Sequence, residues 1–452
     1  MKMTGSKSHR AYHIGEWMPI DHRMQREWLK SVIEHVDRTP NDLHPVLEDF
    51  KYLIEHDTRL FILVQSMFEQ IPNKHPYDAD PSAEHKQVRD YKHMLELLNH
   101  FLTTAPRWSN SCSQAGVVGL PINAALDWPM GTLSGFAFFL DPAVNAFFKQ
   151  LLNAWGEFLT SQQSAKEALG NDDAGWFGRS GKKHLTATVN AASFSNKPVD
   201  FEILFHCDPA KQYHGYTSWD DFFTRRFRFE NGIRPVAAPE DDRIVANACE
   251  SKPYNVTYDA QLRDRFWIKG QPYSIGDMLA HDPLADRFHG AAVYQAFLSA
   301  LSYHRWHAPV SGKVRKAYVK NGTYFSEPLF QGLAEPLNAA NGIIDESNET
   351  TSQGYLTAIA TRAIIFIQAD NPDIGLMAFI GVGMAEVSTC EISVREGQRV
   401  QKGEEIGMFH YGGSTHCLLF RKDTAVRDFL KPGLEHNVPV RSQIAVVDRS
   451  DG

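Results

Sequence analysis

Cysteine is scarce. The five present (Cys112, Cys207, Cys249, Cys390, Cys417) are odd in number, widely spaced and without a CxxC pair. That argues against a disulfide framework or a thiolate zinc site and for a reducing compartment. No HExxH stretch supplies metal ligands either, so no metal is expected. There is no basic excess: 46 Lys and Arg against 54 Asp and Glu leave a net charge of −8, so no nucleic-acid partner is expected. Long hydrophobic runs are missing too. The longest uncharged segment, Trp108–Leu126, contains Asn110, Pro121, Asn123 and three serines, which argues against a membrane span. Met1–Trp17 has Lys, Arg and His but no continuous apolar stretch and does not read as a signal peptide. The expectation is a cytoplasmic protein.

What is present is an ordinary globular composition, 43% hydrophobic and 22% charged over 452 residues, long enough for two domains. Residues 1–40 are polar and weakly periodic and read as an arm on the body. From Pro45 the spacing turns helical, with Val46, Leu47, Phe50, Leu53 and Ile54 on one face. Asp57 or Thr58 can cap a second helix, closed by Pro72, and a third is expected around Tyr91–Leu102. Asp141-Pro142 is an N-cap carboxylate followed by proline at the first helical position. Val144, Phe147, Phe148, Leu151, Leu152 and Trp155 then form a core-facing stripe. Gly178–Gly181 reads as loop. Tyr216–Phe229 reads as a helix capped near Ser218, with Trp219 and Phe222 or Phe223 buried and its arginines solvated; direct ligand contact is the competing reading.

Beyond Ile233 the signal is of strands: Ala363–Ala369, Leu376–Val382, Glu386–Val394 and Gln443–Val447 are short, β-rich and bounded by turn residues. The expected class is therefore α+β, a mainly helical domain (residues 1–195) followed by an antiparallel β-rich domain (196–452). Val394–Phe409, punctuated by Gly397, Gly403 and Gly407, is similar to the hairpin of lipoyl- and biotinyl-type barrels. Lys402 is off the apex where a modified lysine would sit, so the likeness is one of architecture.

Two stretches carry candidate chemistry. Gly412-Gly413-Ser414 is either a turn, since paired glycines supply positive φ, or a nucleophile beside a backbone carbonyl that no Cβ shields. Serine needs a base to become nucleophilic. The stretch is not GxSxG, because His416 stands where the second glycine belongs, and no lysine follows as in a phosphate loop. The second stretch is Tyr303–Pro309, YHRWHAP. His304 and His307 are either satisfied core or surface residues, or one of them is a general base. Pro309 disfavours helix at Ala308. Trp306 and Tyr324-Phe325 are aromatic candidates for a substrate pocket.

Taken together, the GGST element, YHRWHAPV, WDDFFTRRFR followed by RPV, FWIKGQPYS (266–274), Ala378–Thr389 and the VREGQRVQKGEEIGMF hairpin resemble the phosphatidylserine decarboxylases, from about Tyr216 to the C-terminus. With the helical domain, GYTSWDDFFTRRF and THCLLFRKD, the chain looks like the soluble branch typified by fungal L-tryptophan decarboxylases. The resemblance implies a zymogen that cuts itself between Gly413 and Ser414. Ser414 would attack the Gly413 carbonyl with His307 as base, and elimination would leave a covalent pyruvoyl group, the cofactor, in place of Ser414. That carbonyl would take the substrate amine and draw electrons as the carboxylate leaves. His304 would contact the carboxylate or reprotonate the α-carbon. The two fragments would stay associated and the substrate would be a small amino acid, tryptophan foremost. A phospholipid substrate and a non-catalytic scaffold are the competing readings. The family's base-orienting Asp, in an SPADG-like segment, aligns with Glu250 of Asn247–Ser251, one methylene longer. Glu250 either orients His307 or is a solvated strand-end residue.

Overall fold

The computed structural model describes residues 22–72, 87–108, 120–193, 198–264, 273–299, 301–329, 352–411, 414–434 and 436–449. Its first half is helical. Asp57 caps helix Thr58–Glu69 by accepting from Arg59 and Leu60 N–H, and Asp141 caps helix Pro142–Leu159 by accepting from Ala143 and Val144 N–H. Both caps follow from local chemistry, a short carboxylate meeting the unpaired donors of a first turn. The expected arm is different: His22–Arg38 is a helix, and Leu29, Ile33 and Val36 are buried because they recur at helical spacing among charged neighbours. Gly181 is helical too, within Arg179–Ala191, where a Cβ would come within 2.7 Å of the Trp176 carbonyl. That close approach, not a loop, is what its glycine serves.

The second half is antiparallel sheet. Its strands are β1 (Ile244–Ala246), β2 (Lys252–Ala260), β3 (Ala291–Leu298), β4 (Arg305–His307), β5 (Gly312–Lys320), β6 (Arg362–Ala369), β7 (Leu376–Val382), β8 (Thr389–Ile392), β9 (Arg399–Val400), β10 (Glu405–His410), β11 (Ser414–Phe420), β12 (Val426–Arg427) and β13 (Gln443–Val447). Seven of them form one sheet in the order β2-β3-β11-β7-β6-β5-β9, and two three-stranded sheets, β4-β10-β8 and β1-β13-β12, flank it. β11 is buried along its whole length between β3 and β7. The architecture is α+β with a helical N-terminal region.

Two details shape the site's surroundings. Trp306 is core rather than pocket lining: its ring lies 4.6 Å from Phe409 and 5.3 Å from Phe379, and a Cβ on Gly407 would sit 2.5 Å from the indole. Phe325 likewise packs on Phe148, 4.8 Å away. Lys402 points inward, donating to the carbonyls of Ala238, Asp241 and Ile244, so its ammonium ties the turn between β9 and β10 to the chain entering β1.

The helical half packs against the strands where β10 hands over to β11. A Cβ on Gly156 would lie 2.2 Å from Tyr411 Oη, so only glycine lets helix Pro142–Leu159 accept that side chain. Ser164 Oγ accepts from Trp219 N–H, Asn145 Oδ1 from Tyr324 N–H, and Glu386 Oε1 from Asn123 N–H. Among the described residues no helix is long and apolar enough to cross a membrane.

Candidate active site

Ser414 is the first residue of β11, opposite Leu298 of β3. The chain reaches it from β10, a strand of a different sheet, in the three residues after His410. Tyr411 adopts φ +80°, a left-handed conformation that costs a non-glycine residue about 1–3 kcal/mol. Its ring is held 6.0 Å from Trp155. Gly412 and Gly413, the expected turn and the carbonyl side of the expected cut, lie outside the described residues. Ser414 itself is fully buried, and its Oγ has no hydrogen-bond partner among the described residues. Buried hydroxyls normally find one. Its neighbour does: Thr415 Oγ1 donates to Ala296 O and accepts from Gln295 Nε2, and Gln295 Oε1 in turn accepts from Tyr273 Oη.

The two histidines fall at opposite ends of β4. In the β4–β10 register Arg305 faces Met408 and His307 faces Glu405, and Phe409 N–H donates to His304 O at 3.0 Å. His304 therefore shares the end of β10 that leads into Tyr411 and Ser414. His307 lies three residues, about 10 Å, further along. The His304 ring is fully buried and stacks on Phe223, 4.0 Å away at 17°. Phe223 belongs to helix Trp219–Phe223, capped by Ser218, with Trp219, Phe222 and Phe223 buried as expected. The arginines of that segment divide. Arg226 is exposed, but Arg225 is buried and donates to the carbonyls of Phe222, Leu301 and Ser302, which fixes the turn before His304. Three carbonyls and the faces of Phe205 and Phe222 compensate the buried guanidinium.

His307 is held from both sides. Nδ1 lies 2.9 Å from Gly403 O and Nε2 lies 3.1 Å from Tyr303 Oη. A carbonyl only accepts, so the proton is on Nδ1 and the Nε2 lone pair accepts the Tyr303 O–H. That lone pair, the one a base would use, is aimed at Tyr303. Tyr303 adjoins His304 in the YHRWH stretch, but a tyrosine among apolar neighbours carries no sequence signal of this contact.

Glu250 is not where the sequence alignment puts its role. Its carboxylate is 1% exposed and takes Arg234 in a two-pronged pair, Nε to Oε2 at 2.6 Å and a terminal nitrogen to Oε1 at 2.8 Å, with Val440 N–H at 3.4 Å. This corrects both expectations, contact with His307 and solvation at a strand end. A buried carboxylate needs a compensating charge, which the planar guanidinium provides and a neutral imidazole does not. The sequence signal for it was Arg234, in the RPV segment.

At the Ser414 end of β10, His410 sits between Asp220 (2.9 Å) and Glu391 (3.1 Å), and the two carboxylates outweigh burial and raise its pKa. Burial lowers His307 and His416 to about 3. Each is neutral in the folded chain, whereas the unfolded chain protonates near pH 6.5, so each contributes stability that is full above pH 6.5 and declines toward pH 3. The slope is on the order of 1.4 kcal/mol per pH unit per histidine. Buried Glu386, raised to about 8, acts with the opposite sign as pH rises above about 4.5. His416→Leu removes one titration without touching the others. Urea unfolding between pH 6.5 and 4.5 should therefore lose about 1.4 kcal/mol per unit less stability in that variant than in the parent; equal slopes would contradict the assignment.

Comparison with known proteins places this geometry. Two phosphatidylserine decarboxylase family models match, one over residues 44–185 and one over 219–444. An L-tryptophan decarboxylase of Psilocybe cyanescens is 36% identical over 92% of this chain and 91% of its own length. A decarboxylase of Amanita muscaria, iboD, is 41% identical over 67% of this chain and 84% of its own. A phosphatidylserine decarboxylase proenzyme of Bacillus cereus is 31% identical over 49% of this chain and 74% of its own.

Proposed function

The chain belongs to the phosphatidylserine decarboxylase family, and from that premise we propose that it is a carboxy-lyase converting a soluble aromatic L-amino acid, tryptophan, to its amine, tryptamine. In this reading it is a cytoplasmic zymogen that cuts itself between Gly413 and Ser414 and carries a pyruvoyl group derived from Ser414. The observation that supports this best is Ser414: a buried hydroxyl with no partner among the described residues, at the first position of a strand and directly after Gly412-Gly413 in the sequence. A serine kept for stability would be hydrogen-bonded or replaced by alanine.

A pyruvoyl group, small and uncharged, suits that position, because removing the Ser414 hydroxyl breaks no hydrogen bond. It supplies an electron-withdrawing carbonyl toward the substrate amine and carboxylate. The chain's own residues do the rest. His304, stacked on Phe223 at the Ser414 end of β10, is the group to return a proton to the α-carbon. Burial of Ser414, Thr415 and His304 keeps water away from the reacting atoms. His307 enters as the base for self-cleavage only if its lone pair leaves Tyr303, so Tyr303 is the residue that gates it. Fragment 414–452 stays bound after the cut because β11 is paired to β3 and β7 and β13 to β1, all strands of the other fragment but these two. Within Val394–Phe409 the strands β9 and β10 pair with β5 and with β4 and β8 rather than with each other, and Lys402 is structural.

The test is amine formation across the twenty amino acids with phosphatidylserine alongside. Tryptophan should be turned over and phosphatidylserine should not. Preference for phosphatidylserine would favour the phospholipid reading, and no turnover with no hydrazine-reactive carbonyl would favour a scaffold.

A further inference from the structure

Glu386 lies in a one-turn 3-10 segment, Ala385–Val387, not in the strand expected over Glu386–Val394. In the β7–β11 register Val382 faces Thr415, so Gly383 falls beside Ser414 and Glu386 follows three residues later, within a chain reach of about 10 Å. The carboxyl is fully buried. Oε1 accepts Asn123 N–H at 2.8 Å, and Oε2 has no partner among the described residues. Asn123, itself buried, has no partner for Oδ1. Two buried oxygens without a hydrogen-bond partner among the described residues thus sit on residues that are already bonded to each other. Such atoms are costly unless a donor arrives. The neighbouring polar chain, Thr415, Gln295 and Tyr273, is by contrast closed by its own hydrogen bonds.

We propose that Glu386 Oε2 and Asn123 Oδ1 form the subsite that receives the indole N–H of the substrate and so selects tryptophan over other aromatic amino acids. This rests on the functional reading above. A site with two unmet oxygens, one on a carboxyl and one on an amide, rewards a side chain with one N–H over one with none, because the latter adds no donor to either oxygen. Whether the carboxyl is ionised or neutral, it keeps a lone pair at Oε2 for that N–H. Helix Pro121–Met130 is then part of the selectivity apparatus, which gives the helical domain a catalytic use: it brings Asn123 to a site otherwise built from strands.

The experiment compares kcat/KM for L-tryptophan, 1-methyl-L-tryptophan and L-phenylalanine in the matured parent protein, Glu386→Gln and Asn123→Ala. In the parent, tryptophan should exceed 1-methyltryptophan by about 10-fold or more. Glu386→Gln, whose amide can present a donor to the indole, should lower tryptophan kcat/KM roughly 10- to 100-fold, mainly through KM, and leave 1-methyltryptophan within about 3-fold. Asn123→Ala keeps the backbone N–H and should show the same pattern more weakly. Self-cleavage and thermal melting monitored alongside report folding. Equal losses on all three substrates would mean a structural cap and overturn the proposal, as would Gln with parental kinetics. A parent active on tryptophan and 1-methyltryptophan alike overturns the subsite alone. A parent inert toward every amino acid overturns the functional reading and the subsite with it.

Discussion

Ser414→Ala should leave a single uncut chain with no detectable amine formation, a fall of roughly 10⁴-fold or more. The whole effect is chemical. Oγ has no hydrogen-bond partner and the residue is fully buried, so removing the hydroxyl breaks no contact and lifts the cost of an unsatisfied oxygen. The melting temperature should therefore hold or rise slightly, while gel electrophoresis shows no fragment 414–452 and hydrazine finds no reactive carbonyl. An inactive variant that also unfolds early would weaken the assignment. A variant that is still cut, or still active, would end it. His304→Ala makes the complementary case: the protein should be cut normally yet turn over slowly, since His304 serves the second reaction in this reading and not the first.

Arg234→Met should destabilise the protein by about 3–5 kcal/mol, because it strands a carboxylate that is 1% exposed. Against a total stability of roughly 5–15 kcal/mol that is a large share. Glu250→Gln should cost a similar amount by leaving the guanidinium half-met. The double variant Arg234→Met/Glu250→Leu is the decisive protein. Replacing a buried ion pair by apolar groups of like volume is often neutral, so urea unfolding should recover most of the loss, and self-cleavage should return with it. If Glu250 instead orients His307, the double variant would refold but remain uncut. Cleavage is thus the readout that separates a structural pair from a positioning carboxylate, and folding alone would not.

The local features were readable in order of how local their physics is. Asp57 and Asp141 cap helices using donors one to three residues away, so a few letters of sequence suffice. Leu376–Val382 and Gln443–Val447 are strands over just those residues, since apolar β-rich runs between turns have few other uses. Helix His22–Arg38 was harder, because a few apolar residues such as Leu29, Ile33 and Val36 among charged neighbours leave a polar stretch that looks like an arm until something packs against it. Arg225 shows the same limit more sharply. Nothing beside it in sequence distinguishes it from Arg226, and only the carbonyls of Leu301 and Ser302, some 75 residues on, decide which arginine goes inside.

The site divides along the same line. By itself the sequence determined the α+β class and the family and singled out Gly413-Ser414 and the two histidines of YHRWH as candidates, because residue type and spacing carry those. It also placed Glu250 at the family's Asp position. What it did not determine is partnership. The tertiary structure gave Glu250 to Arg234, turned the His307 lone pair to Tyr303, set His304 at the Ser414 end of β10 and brought Asn123 to Glu386 across 263 positions of sequence. Those outcomes follow from burial. Once a charge or lone pair leaves water it must take whichever complementary group the packing brings within 3 Å, and packing is a property of the whole fold.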